Sequence, residues 1–174
     1  MQKVCVGVLY STEAPICLNR DVAISLTSKA LSIFKDYFVV DGTKIHVIVR
    51  KSDYVGKNSR CYFVEDADFR NELAEYVRSN CDDGVLLLYT NNDIAREWRD
   101  EGEWGGVAFV KKRFVIANCR FRPEAMINNV AHEGGHMIGL EECYSQPCIM
   151  NRLKDARYVL CQRHSEELKA KLTV

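Results

Sequence analysis

A chain of 174 residues fits one domain with a core large enough to stand alone. Its 24 basic residues (Lys and Arg) balance 24 acidic ones (Asp and Glu), so the formal net charge is zero, with 47% hydrophobic and 28% charged residues, as in ordinary soluble domains. That balance disfavours nucleic-acid and membrane-surface binding, which draw on a basic excess, and no apolar run approaches the length of a membrane span.

The first apolar run is too short for the core of a signal peptide and reads as a strand over residues 4–9, V-C-V-G-V-L. Val22, Leu26, Ala30, Ile33, Phe34 and Tyr37 have helical spacing and predict a helix over 21–38. An alternating stretch at 44–50 predicts a second strand. Phe69, Leu73, Tyr76 and Val77 predict a second helix over 66–80, and the continuous apolar run 85–89 predicts a buried strand. This βαβαβ order implies an α/β architecture with a largely parallel sheet. Residues 105–110 and 114–118 flank Lys111, Lys112 and Arg113 and predict a hairpin that adds an antiparallel pair. Pro123 starts a helix that runs to about residue 140. A cysteine-rich loop follows, then a helix over 165–172 with Ser165 as N-cap. One domain spanning 1–174 is expected.

The helix after Pro123 is apolar around most of its circumference, except for a stripe of Asn128, Asn129, His132, Glu133 and His136. In H-E-x-x-H the two histidines project from adjacent turns and can hold one Zn2+, while Glu133 beside them can serve as general base for hydrolysis. Zinc needs a third protein ligand. Gly139 can reverse the chain in the left-handed conformation and bring Glu142 back towards the histidines, with Glu141 as a neighbouring alternative. His46 lies mid-strand and reads as a hydrogen-bonded or surface histidine.

Cys143 and Cys148, together with the C-x-x-H pair Cys161 and His164, make a Cys3His set suited to a closed structural zinc site. The other five of the eight cysteines (Cys5, Cys17, Cys61, Cys81 and Cys119) read as buried free thiols, which implies a reducing, cytoplasmic setting. Two zinc ions per chain are therefore expected.

H-E-x-x-H-x-x-G followed by C-x4-C-x-M resembles the archaemetzincins, zinc peptidases of the metzincin clan. His132, Glu133, His136, Gly139, Cys143, Cys148 and Met150 carry the likeness, with Asn91, Asn92, Asp93, Ile94, the Gly105 to Ala108 stretch and Arg122 upstream. It spans roughly residues 84–172; the remainder matches only in layout. The resemblance implies a twisted mixed sheet of about five strands backed by helices, an active-site helix, and a small zinc-stapled subdomain over 140–174. It also implies a methionine turn in which Met150 is an apolar floor, and an edge strand (Gly105, Gly106, Val107, Ala108) that binds extended peptide. Trp98 and Trp104 are candidates for a cleft wall. Two positions depart from the family pattern: Glu142 stands where the family has a third histidine, and His164 ends a pair that is C-x-x-C in the family.

The expected activity is peptide hydrolysis by metal-activated water on a peptide or protein substrate, by a monomer. The rival reading is a catalytically silent peptide-binding protein that keeps the fold and only the structural zinc. A zinc-dependent nucleic-acid adapter rests on the Cys3His set alone, and zero net charge argues against it.

Overall fold

Strand β1 (Gln2–Tyr10) is buried from Val4 to Leu9, so both of its faces must be covered. It lies inside a five-stranded sheet between β2 (Phe38–Val49) and β5 (Val85–Thr90), parallel to both. Strand β8 (Phe114–Asn118) extends the sheet in parallel beyond β5. The edge strand β7 (Gly106–Phe109) is antiparallel to β8, through a 3-10 turn at Val110–Lys112. The computed structural model describes residues 1–11, 18–55, 59–95, 105–144, 147–151 and 157–173. Cys17, Trp98 and Trp104 lie outside the described residues. Among those described, no helix is long and apolar enough to cross a membrane.

Alternation along the strands separates two cores. Val4, Val6, Val8, Leu87, Tyr89, Val115 and Ala117 face α1 (Arg20–Leu31) and α3 (Pro123–Met137). Cys5, Leu9, Leu86, Leu88, Phe114 and Ile116 face α2 (Ala67–Asn80), joined there by Tyr62 and Ile94. Those last two belong to a small second sheet, in which β4 (Ser59–Phe63) lies between β3 (Asp53–Val55) and β6 (Asp93–Ala95). This sheet leaves no periodic signature in the sequence, because strands of three to five residues show too few alternations to register as a period.

Three boundaries move. The first helix ends at Leu31, followed by a 3-10 turn at Ser32–Phe34, and Phe38 already pairs with Gln2 in the sheet. Pairing of the β-branched Val39 and Val40 with β1 overrides the helical spacing that had extended the helix to 38. Strand β2 is accordingly longer than 44–50, and its register on β1 jumps from Asp41 opposite Cys5 to Ile45 opposite Val6. The last helix, α4 (Gln162–Leu172), starts three residues early, with Cys161 rather than Ser165 as N-cap; the Ser165 N–H bonds the Cys161 carbonyl at 3.0 Å.

Cysteine usage also departs from expectation at one position. Cys5, Cys61 and Cys81 are buried thiols outside any disulfide, but Cys119 is disulfide-bonded. Cysteines scattered far apart along a chain do not disclose which of them pair as disulfides.

Candidate functional site

Helix α3 carries the H-E-x-x-H motif with two adjacent glycines, each a weak helix residue by about 1 kcal/mol relative to alanine. Packing explains both. A Cβ on Gly134 would lie 2.6 Å from Leu31 Cδ2, and one on Gly135 would lie 2.3 Å from Met150 Sδ. The glycines thus admit α1 on one side and Met150 beneath the helix on the other.

The helix ends in a Schellman turn. Gly139 takes φ +79°, its N–H bonds the His136 carbonyl at 2.9 Å, and Leu140 N–H bonds the Gly135 carbonyl at 2.9 Å. Lys171 Nζ reaches back from α4 to the carbonyls of Ile138 (2.9 Å) and Gly139 (3.1 Å). The reversal brings Glu142 to the histidines, with Oε1 4.0 Å from His136 Nε2. His132, His136 and Glu142 each offer a ligand atom within 4.8 Å of the others, and all three are half-buried. Glu141 is exposed and lies outside this group.

Hydrogen bonding fixes the tautomers. His132 Nδ1 lies 2.9 Å from the Ile149 carbonyl and His136 Nδ1 lies 2.9 Å from the Leu140 carbonyl. A carbonyl can only accept, so both Nδ1 atoms donate, and each neutral ring presents its lone pair at Nε2. The two Nε2 atoms are 3.2 Å apart. Two ring nitrogens at that distance share a cation, whether a proton or a metal, and nitrogens on one tetrahedral zinc stand about 3.3 Å apart. The donor set therefore fits zinc. Backbone carbonyls that orient ligating imidazoles are the usual second layer of such a site.

Glu133 projects towards the edge strand, where the Ala108 N–H donates to its carboxylate. Burial, with the nearby Glu142 charge, pushes its pKa up to about 8 against the opposing pull of that N–H. The Gly105 and Gly106 pair leaves room for the helix: a Cβ on Gly105 would lie 2.2 Å from Asn129 Nδ2, and one on Gly106 would lie 3.0 Å from Glu133 Cγ. Sequence reasoning assigned these glycines to peptide binding and missed that they let two polar positions of α3, one turn apart, approach β7. Val107 and Ala108 continue the half-buried edge.

Cys143, Cys148, Cys161 and His164 also converge within 4.8 Å, and all but Cys161 are buried. His164 Nδ1 lies 3.2 Å from Cys148 Sγ and 3.6 Å from Cys161 Sγ, so Nδ1 is the nitrogen facing the sulfurs. Burial raises the Cys148 thiol to about 11. For Cys161, burial works against ionisation, but the His164 backbone N–H and the neighbouring thiols outweigh it and lower the pKa. Cys161 is thus the readier thiolate. Arg163 Nη2 sits 2.9 Å from His164 Nε2. The Glu141 backbone also hydrogen-bonds the His164 ring. Four donors in a largely buried cluster match a closed zinc site.

One tight turn connects the two groups. Cys148 faces His164, the Ile149 carbonyl holds His132, and Met150 lies under Gly135. The Asn151 N–H closes the turn on the Cys148 carbonyl at 3.1 Å, and the Cys143 N–H bonds the Met150 carbonyl at 3.0 Å.

No protein-family model matches the chain, and no curated protein matches it in sequence. Solved structures do share its fold. A zinc-dependent peptidase from Methanocorpusculum labreanum aligns with TM-score 0.58 and 17% identity over 94% of this chain and 99% of its own. Metalloproteinase-II from Bacteroides fragilis aligns with TM-score 0.54 and 17% identity over 94% of this chain, which spans about half (51%) of that protein. An archaemetzincin from Archaeoglobus fulgidus aligns with TM-score 0.50 and 18% identity over 95% of this chain and 99% of its own. The structural neighbours are zinc-dependent peptidases, and the five-stranded mixed sheet with its helices is the fold they share.

Proposed function

We propose that this chain is a zinc-dependent peptidase, with His132, His136 and Glu142 holding the catalytic zinc and Glu133 acting as general base. The observation that carries the reading is the pair of Nε2 lone pairs 3.2 Å apart, each fixed by a backbone carbonyl on the far side of its ring. Zinc held there supplies a Lewis acid that makes water more acidic and polarises a carbonyl. Glu133 takes the proton of the attacking water at its carboxylate and delivers it to the departing amine. A cation beside it lowers its pKa from the raised value towards the neutral range in which a general base works best.

The edge strand β7 offers its outer side to an extended peptide by strand addition, which sets the scissile bond beside Glu133. Cys143, Cys148, Cys161 and His164 hold a second, structural zinc that fixes the loop bearing Glu142 and staples residues 140–174 to the single domain. The working form is a monomer acting on peptides or proteins.

Hydrolysis of a mixed peptide library by the zinc-loaded chain tests the proposal. Glu133→Gln is expected to lower turnover by about 10²–10⁴-fold while zinc content stays the same. Turnover that survives this change and chelation would overturn it. Absence of turnover with peptide binding retained would favour the silent binder.

A further inference from the structure

A third group of ligand atoms lies on the opposite face of the sheet from the peptidase site. Cys5 on β1, His46 on β2 and Cys81 at the C-cap of α2 each present a donor atom within 4.8 Å of the others, and all three are buried. Neither Cys5 nor Cys81 is in a disulfide, and the two thiols hydrogen-bond to each other. We propose that Cys5, His46 and Cys81 form a metal site that takes one thiophilic d10 cation, Zn2+ or Cu+.

The surroundings are arranged as metal sites usually are. Tyr76 Oη engages His46 Nδ1 at 3.1 Å, and the two rings meet edge to face at 83°. That leaves Nε2, which is buried and has no hydrogen-bond partner, as the nitrogen open to a metal. A buried ring nitrogen without a partner is costly, and a coordinate bond would relieve that cost. Burial and the charge of Lys44 lower the His46 pKa, so the ring is neutral and can ligate. Burial, together with the hydrogen bond and charge of Cys5, raises the Cys81 thiol against smaller opposing effects of Lys44 and Lys3, so ligation by the thiolate would release a proton.

Backbone features hold the three side chains together. Gly7, opposite His46 in the parallel pair, has no Cβ; one there would lie 2.7 Å from the His46 carbonyl oxygen and 3.0 Å from its Cβ. After Cys81 the chain turns through Asp82 (φ 41°) and Asp83 (φ 62°), a left-handed pair uncommon outside glycine. Lys3 pairs with Asp82 and Arg113 with Asp83, which secures that turn. Ligand atoms around one zinc or copper ion stand about 3.3–3.9 Å apart, so closure needs side-chain shifts on the order of 1 Å. Thiolate ligands select soft cations such as Cu+ and Zn2+ over Mg2+ or Ca2+.

Native mass spectrometry that counts ions per folded chain tests the proposal, with zinc loading and loading from a buffered Cu+ complex as separate arms. In at least one arm the wild type is expected to hold one ion more than Cys81→Ala, and that arm identifies the cation. Tyr76→Phe should keep the extra ion with affinity about 10–100-fold weaker, as for a positioning residue behind a ligand. Equal counts for wild type and Cys81→Ala with both metals would overturn the site. The wild type also provides a test that needs no variant: the 15N resonance of His46 Nε2 should shift as the last equivalent binds. A resonance unmoved through saturation with both metals would overturn the site as well.

Discussion

The two metal-ligand groups of the C-terminal third differ in exposure, and the difference separates their chemistry. His132, His136 and Glu142 are all half-buried and open beside the edge strand, whereas Cys143, Cys148 and His164 are buried with Cys161 at their margin. Three ligands at an open position suit hydrolysis, while four in a closed shell suit structure. Yet the groups share neighbours in the chain: Glu142 adjoins Cys143, and the turn of Cys148, Ile149 and Met150 supports both. With zinc in both, as we propose, the closed site would set the geometry of the open one.

The largest expected effect comes from breaking the closed site. Cys148→Ser should remove its zinc, whose binding is worth on the order of 10 kcal/mol in small zinc modules, and should also weaken metal binding at His132 and His136. Zinc titration with thermal melts checks this. A full catalytic zinc in that variant would show the two sites to be independent. Next in size is Gly135→Ala, which drives a methyl group into Met150 and should cost about 1–3 kcal/mol in denaturant unfolding. A neutral result would mean that Met150 can move aside.

The open site can be probed by pH. In metal-free protein the pKa of Glu133 is about 8, above its unfolded value, so the folded state holds the extra proton. That contribution is complete below the unfolded pKa and is lost as pH rises towards 8. The melting temperature of wild type should therefore fall more than that of Glu133→Gln between about pH 5 and 8. Parallel curves would contradict the raised value. The smallest effect is at Lys171→Met, which removes the charge on the last carbonyls of α3 and should cost about 0.3–1 kcal/mol in the same unfolding assay.

How much the sequence disclosed follows from distance along the chain. The H-E-x-x-H helix, the Gly139 reversal and the Cys143 to His164 cluster are local patterns, so spacing alone was enough to group their residues. The parallel β1 and β5 were legible because their buried runs are continuous, and β2 because its residues alternate. Cys5, His46 and Cys81 are brought together only by strand pairing and by the end of α2, so His46 read as an unremarkable strand histidine. The packing reasons for Gly105, Gly106, Gly134 and Gly135 were hidden for the same cause. Each depends on a side chain from an element distant in sequence or on the tilt of a helix against a strand.

We propose that the Glu142 carboxylate completes the open site while the next residue, Cys143, faces the closed one. Zinc per chain, measured for wild type and for Glu142→Ala after equal loading and exhaustive dialysis, tests it most directly. The variant should hold one zinc fewer than the wild type, with the ion in the cysteine cluster retained. The same zinc content in both proteins would contradict it.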